Sequence, residues 1–402
     1  MALPLTGIKV IELATWAAMP GGGAILADWG AEVIKIEDPT TPDPLRGFSS
    51  IAGGADHPGV APSFEQKNRN KKGITLDVSK PRGQEVLRGM LEKADVFITS
   101  MRPKTLARNG IDYESLRQIN PRLVMVHLSG FGHKGPDADR PGYDALCFWA
   151  RSGLALSLAE PDAPPIGQRP ALGDVTTSIA VAGGVSAALF DRERTGRGKL
   201  VLASLYGTGL WIAAGDLVTS FASGQDVQRR SRREVTNPLV NGYQTASGWL
   251  QLVNLQSDRF WEPLCRAVGR TDLIDDERFN TAMKRAENGR ALVAIFEEEF
   301  AKRTTGEWIP RLDAEGIRWG KVQTTLETTR DEQAWINGYF QKLEHPDVGE
   351  ITLVSSPLQF DGEPSPIQSS APQIGQHTEE VLLEMGFSWE ELNELRSQKV
   401  IL

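Results

Sequence analysis

Ile8-Lys-Val-Ile-Glu-Leu13, Pro20-Gly-Gly-Gly23, the segment 24–30 and Val33-Ile-Lys-Ile-Glu37 follow one another near the start of the chain. The first and last of these alternate in polarity and read as strands, because side chains in a strand point to opposite faces with period two. The proline and three glycines between them read as a turn. Segment 24–30 reads as a helix closed by a C-terminal glycine. The order is β-turn-α-β, and the second strand ends on an acid.

Working outward, the same rhythm continues. Strands are expected at 74–77, 95–99 and 123–128, with helices at 81–93, 105–108 and 113–119. This alternation predicts a mostly parallel sheet with helices on both faces. The β-turn-α-β start is that of a dinucleotide-binding unit, but GxGxxG is absent because the three glycines are contiguous. Another nucleotide-like ligand suits the architecture better. Residues 39–66 are rich in Pro, Gly and Ser and read as a long loop, a form often used for binding. A glycine-rich loop, Ser129-Gly-Phe-Gly-His-Lys-Gly-Pro136, precedes Arg140-Pro-Gly-Tyr-Asp144 and a helix over 145–158. The domains expected are 1–205 as the first part of a large domain, a linker over 206–236, a small domain over 237–333, and 334–402 returning to the large one.

Composition bounds the function. The chain has 402 residues, 40% hydrophobic and 24% charged, with a net charge of −8. That sign argues against nucleic acid or an anionic membrane surface as partner. The two cysteines, Cys147 and Cys265, have no metal-ligand spacing, and the five histidines (His57, His127, His133, His345, His377) form no HExxH. No metal is expected. The N-terminus has no signal-peptide pattern and no uncharged run reaches membrane-spanning length, so the cytoplasm is the expected compartment.

Two features point to chemistry. Basic residues gather at Arg69, Lys71 and Lys72 and again at Arg102, Lys104 and Arg108, as a phosphate-bearing ligand at strand ends would require; a solvated basic surface is the other reading. In Arg169-Pro-Ala-Leu-Gly-Asp-Val-Thr-Thr-Ser178, Asp174 stands at the mouth of a long weakly polar run that reads as a buried helix. It is a helix cap, a ligand or a nucleophile, with the helix dipole favouring its charge in each case. Tyr143-Asp144 packs against or caps the following helix. No GxSxG is present and neither cysteine has an obvious general base beside it in sequence, so covalent chemistry would use a carboxylate.

The ordered motifs Leu5-Thr-Gly-Ile-Lys-Val-Ile-Glu-Leu13, Leu26-Ala-Asp-Trp-Gly-Ala-Glu-Val-Ile-Lys-Ile-Glu37, Asn68-Arg-Asn-Lys-Lys-Gly-Ile-Thr-Leu-Asp77, Pro141-Gly-Tyr-Asp144, Leu172-Gly-Asp174 and Ile374-Gly-Gln-His-Thr378 together resemble the class III CoA-transferases. Within that family they look most like the branch acting on aryl, branched and 2-hydroxy acids. The resemblance implies a Rossmann-like large domain, a smaller α+β domain, and a ring-shaped subunit in an interlocked homodimer. It implies acyl-CoA and small carboxylic acids as substrates, with no permanently bound cofactor.

Carried over by position, Asp174 is the catalytic aspartate, passing through an acyl-aspartyl anhydride and an aspartyl-CoA thioester. Ala17, Asn70, Lys71, Arg102, Arg108 and Tyr143 lie on the CoA-binding side. Asp38 replaces an arginine and Ala17 a glutamine found in formyl-CoA transferase, and no tetraglycine loop is seen, which argues against oxalate or formate. The glycines at Gly21–Gly23 are one source of oxyanion donors. Trp16, Met19, Phe148 and Trp149 either line an apolar acyl pocket or pack the core. The family also holds α-methylacyl-CoA racemases, which place a histidine where this chain has Tyr143. A phenol with a reference pKa of about 10 is a poor second base, which favours transfer. A non-catalytic partner subunit is the other alternative, and the intact Asp174 argues against it.

Overall fold

The computed structural model describes residues 3–50, 60–169 and 171–402. His57, Pro170 of the Asp174 stretch and part of the 39–66 loop lie outside the described residues. The chain divides into two compact units, one of residues 1–156, 167–224 and 335–402, the other of 157–166 and 225–334.

The first unit is built on six parallel strands, β1 Lys9–Leu13, β2 Glu32–Glu37, β3 Lys72–Thr75, β4 Val96–Thr99, β5 Val124–Ser129 and β6 Leu200–Ser204. Their order is β3-β2-β1-β4-β5-β6, so the chain reverses direction across the sheet between β1 and β4. The helices among them are α1 Ala18–Asp28, α2 Pro62–Asn68, α3 Pro81–Glu92, α4 Pro103–Arg108, α5 Tyr113–Ile119, α6 Leu154–Ser157, α7 Leu172–Thr195, α8 Leu205–Ile212 and α9 Ala214–Ser223.

Strand alternation sorts the core into two layers. Val10, Val33, Val96 and Val124 point to one face, where Met19 and Leu26 of α1 and Val181 and Val185 of α7 cover them. Ile11, Ile34, Phe97 and Met125 point to the other, beneath Leu87 of α3, Leu116 of α5 and the last helices of the chain, Thr378–Glu384 and Trp389–Ser397. The tail belongs to this unit because Leu382, Leu392 and Leu395 are fully buried there.

Pro20-Gly-Gly-Gly23 is not a turn. It lies inside α1, with the Gly21 N–H donating to Ala17 O at 2.8 Å. The glycines serve close packing: a Cβ on Gly21 would sit 2.3 Å from Ser178 Oγ, and one on Gly22 would sit 2.7 Å from Val181 Cγ1. Both neighbours belong to α7, so the two helices touch backbone to side chain. The 39–66 segment likewise holds a 3-10 helix, Pro44–Ser50, and all but the end of α2. Segment 145–158 is not one helix: a π-helical turn, Ala145–Ala150, stops where the Ser152 hydroxyl bonds back to Phe148 O and Gly153 takes φ +91°.

The second unit pairs β7 Val240–Thr245, β8 Gly248–Val253 and β9 Trp319–Val322 as an antiparallel sheet. It carries α10 Ser257–Val268, α11 Ala282–Glu287, α12 Gly289–Phe300 and α13 Thr305–Ala314. Its core is aromatic. Tyr243 stacks on Phe300 at 5.0 Å, and the buried Trp308 indole donates to Phe300 O at 2.9 Å, so that polar edge is satisfied.

Candidate active site

Open parallel sheets bind ligands beyond the carboxyl ends of their strands, where the strand order reverses. The loops leaving β1 and β4 flank that reversal here. Together with the end of β5, the segment 138–145 and the start of α7, they line a cavity of about 910 Å³.

Asp174 stands on its wall as the third residue of α7, not as its cap. The cap position is Ala171, which has no side chain to offer and is held at φ +65°. The capping is done from elsewhere: Asp144 Oδ2 accepts the N–H of Gly173 at 3.0 Å and of Asp174 at 3.4 Å. Gly173 is required by that approach, since a Cβ there would lie 2.2 Å from Phe148 Cγ and 2.5 Å from Asp144 Oδ1. The Leu-Gly-Asp motif is therefore a packing device that seats one carboxylate beside another. Burial, and then the neighbouring Asp144, push the Asp174 pKa up to about 7, with Lys67 opposing. The helix terminus does not keep it in the ordinary carboxylate range; desolvation wins.

Across the cavity, α1 begins at Ala18, and Ala17, Ala18 and Met19 all line the wall. The first N–H groups of a helix have no intrahelical acceptor, and those of Ala18 and Met19 find none among the described residues, so they can serve an anion. Gly21–Gly23 are not, being inside the helix. Trp16, just before α1, takes φ +68°. Left-handed backbone at a tryptophan costs about 1–2 kcal/mol, which the surroundings must offset. They do so through a buried ion cluster. Lys35 Nζ donates to Asp43 Oδ2 at 2.9 Å, to Ala14 O at 3.0 Å and to Glu12 Oε1 at 3.3 Å, while Asp43 Oδ1 accepts the Trp16 N–H at 3.0 Å.

The residues expected to hold CoA divide. Ala17, Arg102, Tyr143 and Asp174 share the cavity. Tyr143 meets the Trp16 ring edge-on at 6.2 Å, and Arg102 is exposed at the head of α4. Arg108 is exposed at the far end of the same helix, away from the cavity lining. Lys71 joins the ion cluster, donating to Glu12 Oε2 at 2.8 Å, Pro20 O at 2.8 Å and Asn68 Oδ1 at 3.0 Å, with no exposed side-chain surface. Asn70 takes φ +61°, which asparagine tolerates; its amide bonds Asp28 and Pro366 O, and its Oδ1 accepts from the Gln368 and Ser369 N–H groups. Arg69 is buried on Asp28 at 2.7 Å. Segment 67–72 leads into β3 rather than out of a strand, so Arg69 and Lys71 meet the flank of α1 and Lys72 pairs with Glu32, Glu380 and Glu384.

Of the four aromatic and sulfur side chains expected in an acyl pocket, Trp16 and Met19 line the cavity, whereas Phe148 and Trp149 are core. Asp38 accepts from Thr40 and Thr41 and closes a turn. Among the described residues no cluster of His, Cys, Asp and Glu could hold a metal.

One cavity residue has no counterpart in the sequence reading. Lys67, the penultimate residue of α2, is more than nine-tenths buried, lines the cavity and feels the charge of Asp174. It sits in the same basic run as Lys71 and Lys72, and nothing local separates them.

The chain as a whole is similar to known proteins. A family model described as CoA-transferase family III matches residues 5–378. The cinnamoyl-CoA:phenyllactate CoA-transferase of Clostridium sporogenes is 36% identical over 99% of this chain and 97% of its own length. The (R)-2-hydroxy-4-methylpentanoate CoA-transferase of Clostridioides difficile is 33% identical over 99% of both. A CAIB/BAIF family protein from Brucella suis superposes with a TM-score of 0.84 at 30% identity, covering 96% of this chain and 100% of that one.

Proposed function

The chain belongs to CoA-transferase family III and is a CoA-transferase acting on acyl-CoA thioesters; we propose that it works covalently through Asp174. The carboxylate attacks the thioester carbonyl, the C–S bond breaks, and a mixed anhydride and CoA thiolate result. The thiolate then attacks the aspartyl carbonyl, releasing the donor acid and leaving an aspartyl-CoA thioester. An acceptor carboxylate runs the steps in reverse. No net proton moves, so no separate base is needed.

The observation that carries this reading is a half-buried carboxylate on the cavity wall with a pKa raised to about 7. Desolvation makes it more basic, hence a better nucleophile, while leaving a large ionised fraction near neutrality. The N–H groups of Ala18 and Met19 are the oxyanion donors in this reading, Arg102 holds CoA phosphate, and Tyr143 flanks the pantetheine arm. Tyr143 in place of histidine favours transfer over racemisation.

The acid we propose is aryl, branched or 2-hydroxy. Trp16, Leu45, Met101 and Val175 give the cavity apolar walls, and the two bacterial relatives are named for acids of that kind. The working form is a homodimer, interlocked as in the family. Supporting this, α9 buries none of its residues, and Trp211, Val218 and Phe221 stand exposed on α8 and α9. A reducing, cytoplasmic setting agrees with two buried cysteines that are both free thiols.

The test is trapping. Enzyme mixed with an acyl-CoA and hydroxylamine is digested and weighed. A CoA adduct or hydroxamate on the Asp174 peptide supports the mechanism; turnover without either refutes it.

A further inference from the structure

We propose that Lys67 is the seat of the free acid's carboxylate, and that it becomes available when Asp174 is esterified by CoA. The idea rests on the covalent reading above.

Cations on the cavity wall are of two kinds. Arg102, Arg140 and Arg169 are exposed, and Arg140 is already engaged with Asp137 at 3.7 Å and with the Phe131 ring. Lys67 is buried at the end of α2, and among the described residues its ammonium makes no hydrogen bond and no ion pair. The ammonium is not sealed in protein but faces the cavity, so a ligand group entering there can take the place of its water. Its neighbours cannot satisfy it: Asn68 and Lys71 bond each other, and Arg69 is committed to Asp28. Asp174 acts on it through space without closing to an ion pair. A gap is left between the two side chains, open to the cavity.

The charge balance of that gap changes during the reaction. In the resting enzyme Lys67 faces the carboxyl groups of both Asp174 and Asp144, which oppose an incoming carboxylate. Once Asp174 carries CoA as a thioester it is neutral. Lys67 then faces one fewer anion, and a carboxylate is drawn in by a charge-assisted hydrogen bond to one oxygen. The other oxygen is left to attack the aspartyl carbonyl, whose C–S bond breaks to give the anhydride and CoA thiolate. In the forward half the same ammonium receives the departing donor carboxylate. The ligand class is a monocarboxylic acid, held by its head group irrespective of its tail.

The full-length enzyme carrying Lys67→Met or Lys67→Arg tests this, with melting temperature showing that each variant is folded. Lys67→Met should raise KM for the acceptor acid about 10- to 100-fold, the loss of one charged hydrogen bond. KM for acyl-CoA should hold at the wild-type value, and the Asp174–CoA adduct should still form from acyl-CoA alone. Lys67→Arg should restore most of the acid affinity. An unchanged acid KM in Lys67→Met overturns the assignment, as does a rise confined to acyl-CoA. Absence of the adduct in the wild-type enzyme during turnover would overturn the covalent reading itself, and the role of Lys67 with it.

Discussion

Asp144 Oδ2 receives the Gly173 N–H at 3.0 Å, so the first turn of α7 is capped by a carboxylate from a distant part of the chain. The cap and the candidate nucleophile are thus two acids held side by side. The arrangement fixes where Asp174 points and raises its pKa at the same time.

Removing the charge but keeping the shape separates the two effects. Asp144→Asn should lower the Asp174 pKa, because a like charge is gone, and move the acidic limb of the rate profile to lower pH. Asp144→Ala should also cost about 1–2 kcal/mol of stability from the lost cap. Denaturant unfolding together with pH profiles of adduct formation decides both.

Asp174 should make stability depend on pH with a definite sign. Its pKa rises from 3.8 to about 7 on folding, so the stability it permits is complete below pH 4 and is lost as pH climbs through 7. Asp174→Asn removes that dependence. The variant should be inactive yet melt above the wild type at pH 8, by up to about 2–4 kcal/mol at ~1.4 kcal/mol per unit, and match it near pH 4. Melting curves across that range test it, and equal melting at pH 8 would refute it.

Gly173→Ala should disable the site by displacement. The added Cβ meets the Phe148 ring and Asp144 Oδ1, neither of which can retreat from the core without moving α7. A loss of about 1–3 kcal/mol is expected, with adduct formation falling further than stability does. Thermal unfolding set against adduct yield separates the two.

Lys71 and Arg102 should respond in opposite ways. Lys71→Met leaves Glu12 with one fewer buried partner and should cost about 3–5 kcal/mol, with KM for acyl-CoA unchanged in the folded fraction. Arg102→Ala removes an exposed side chain at the cavity mouth. It should raise KM for acyl-CoA while leaving the melting temperature within about a degree or two, as surface substitutions do.

What could be read directly from the sequence was local. The alternation of Ile8 to Leu13, the β/α rhythm through residue 129 and the Gly-Asp motif carry their meaning in neighbouring residues, because strand period and close packing are set over a few positions. That Asp174 is the carboxylate to examine was legible on the same ground, through the motifs around it, and the structure puts it on the cavity wall.

Which lysine lines the cavity was not. Lys67 and Lys71 belong to one basic run, yet one opens into the cavity while the other is sealed over Glu12. The pKa of Asp174 was also beyond the sequence. A helix N-terminus alone predicts an ionised acid, and only the approach of Asp144 and the exclusion of water reverse that. Burial and long-range charge depend on what the folded chain brings alongside. The tertiary structure alone decides them.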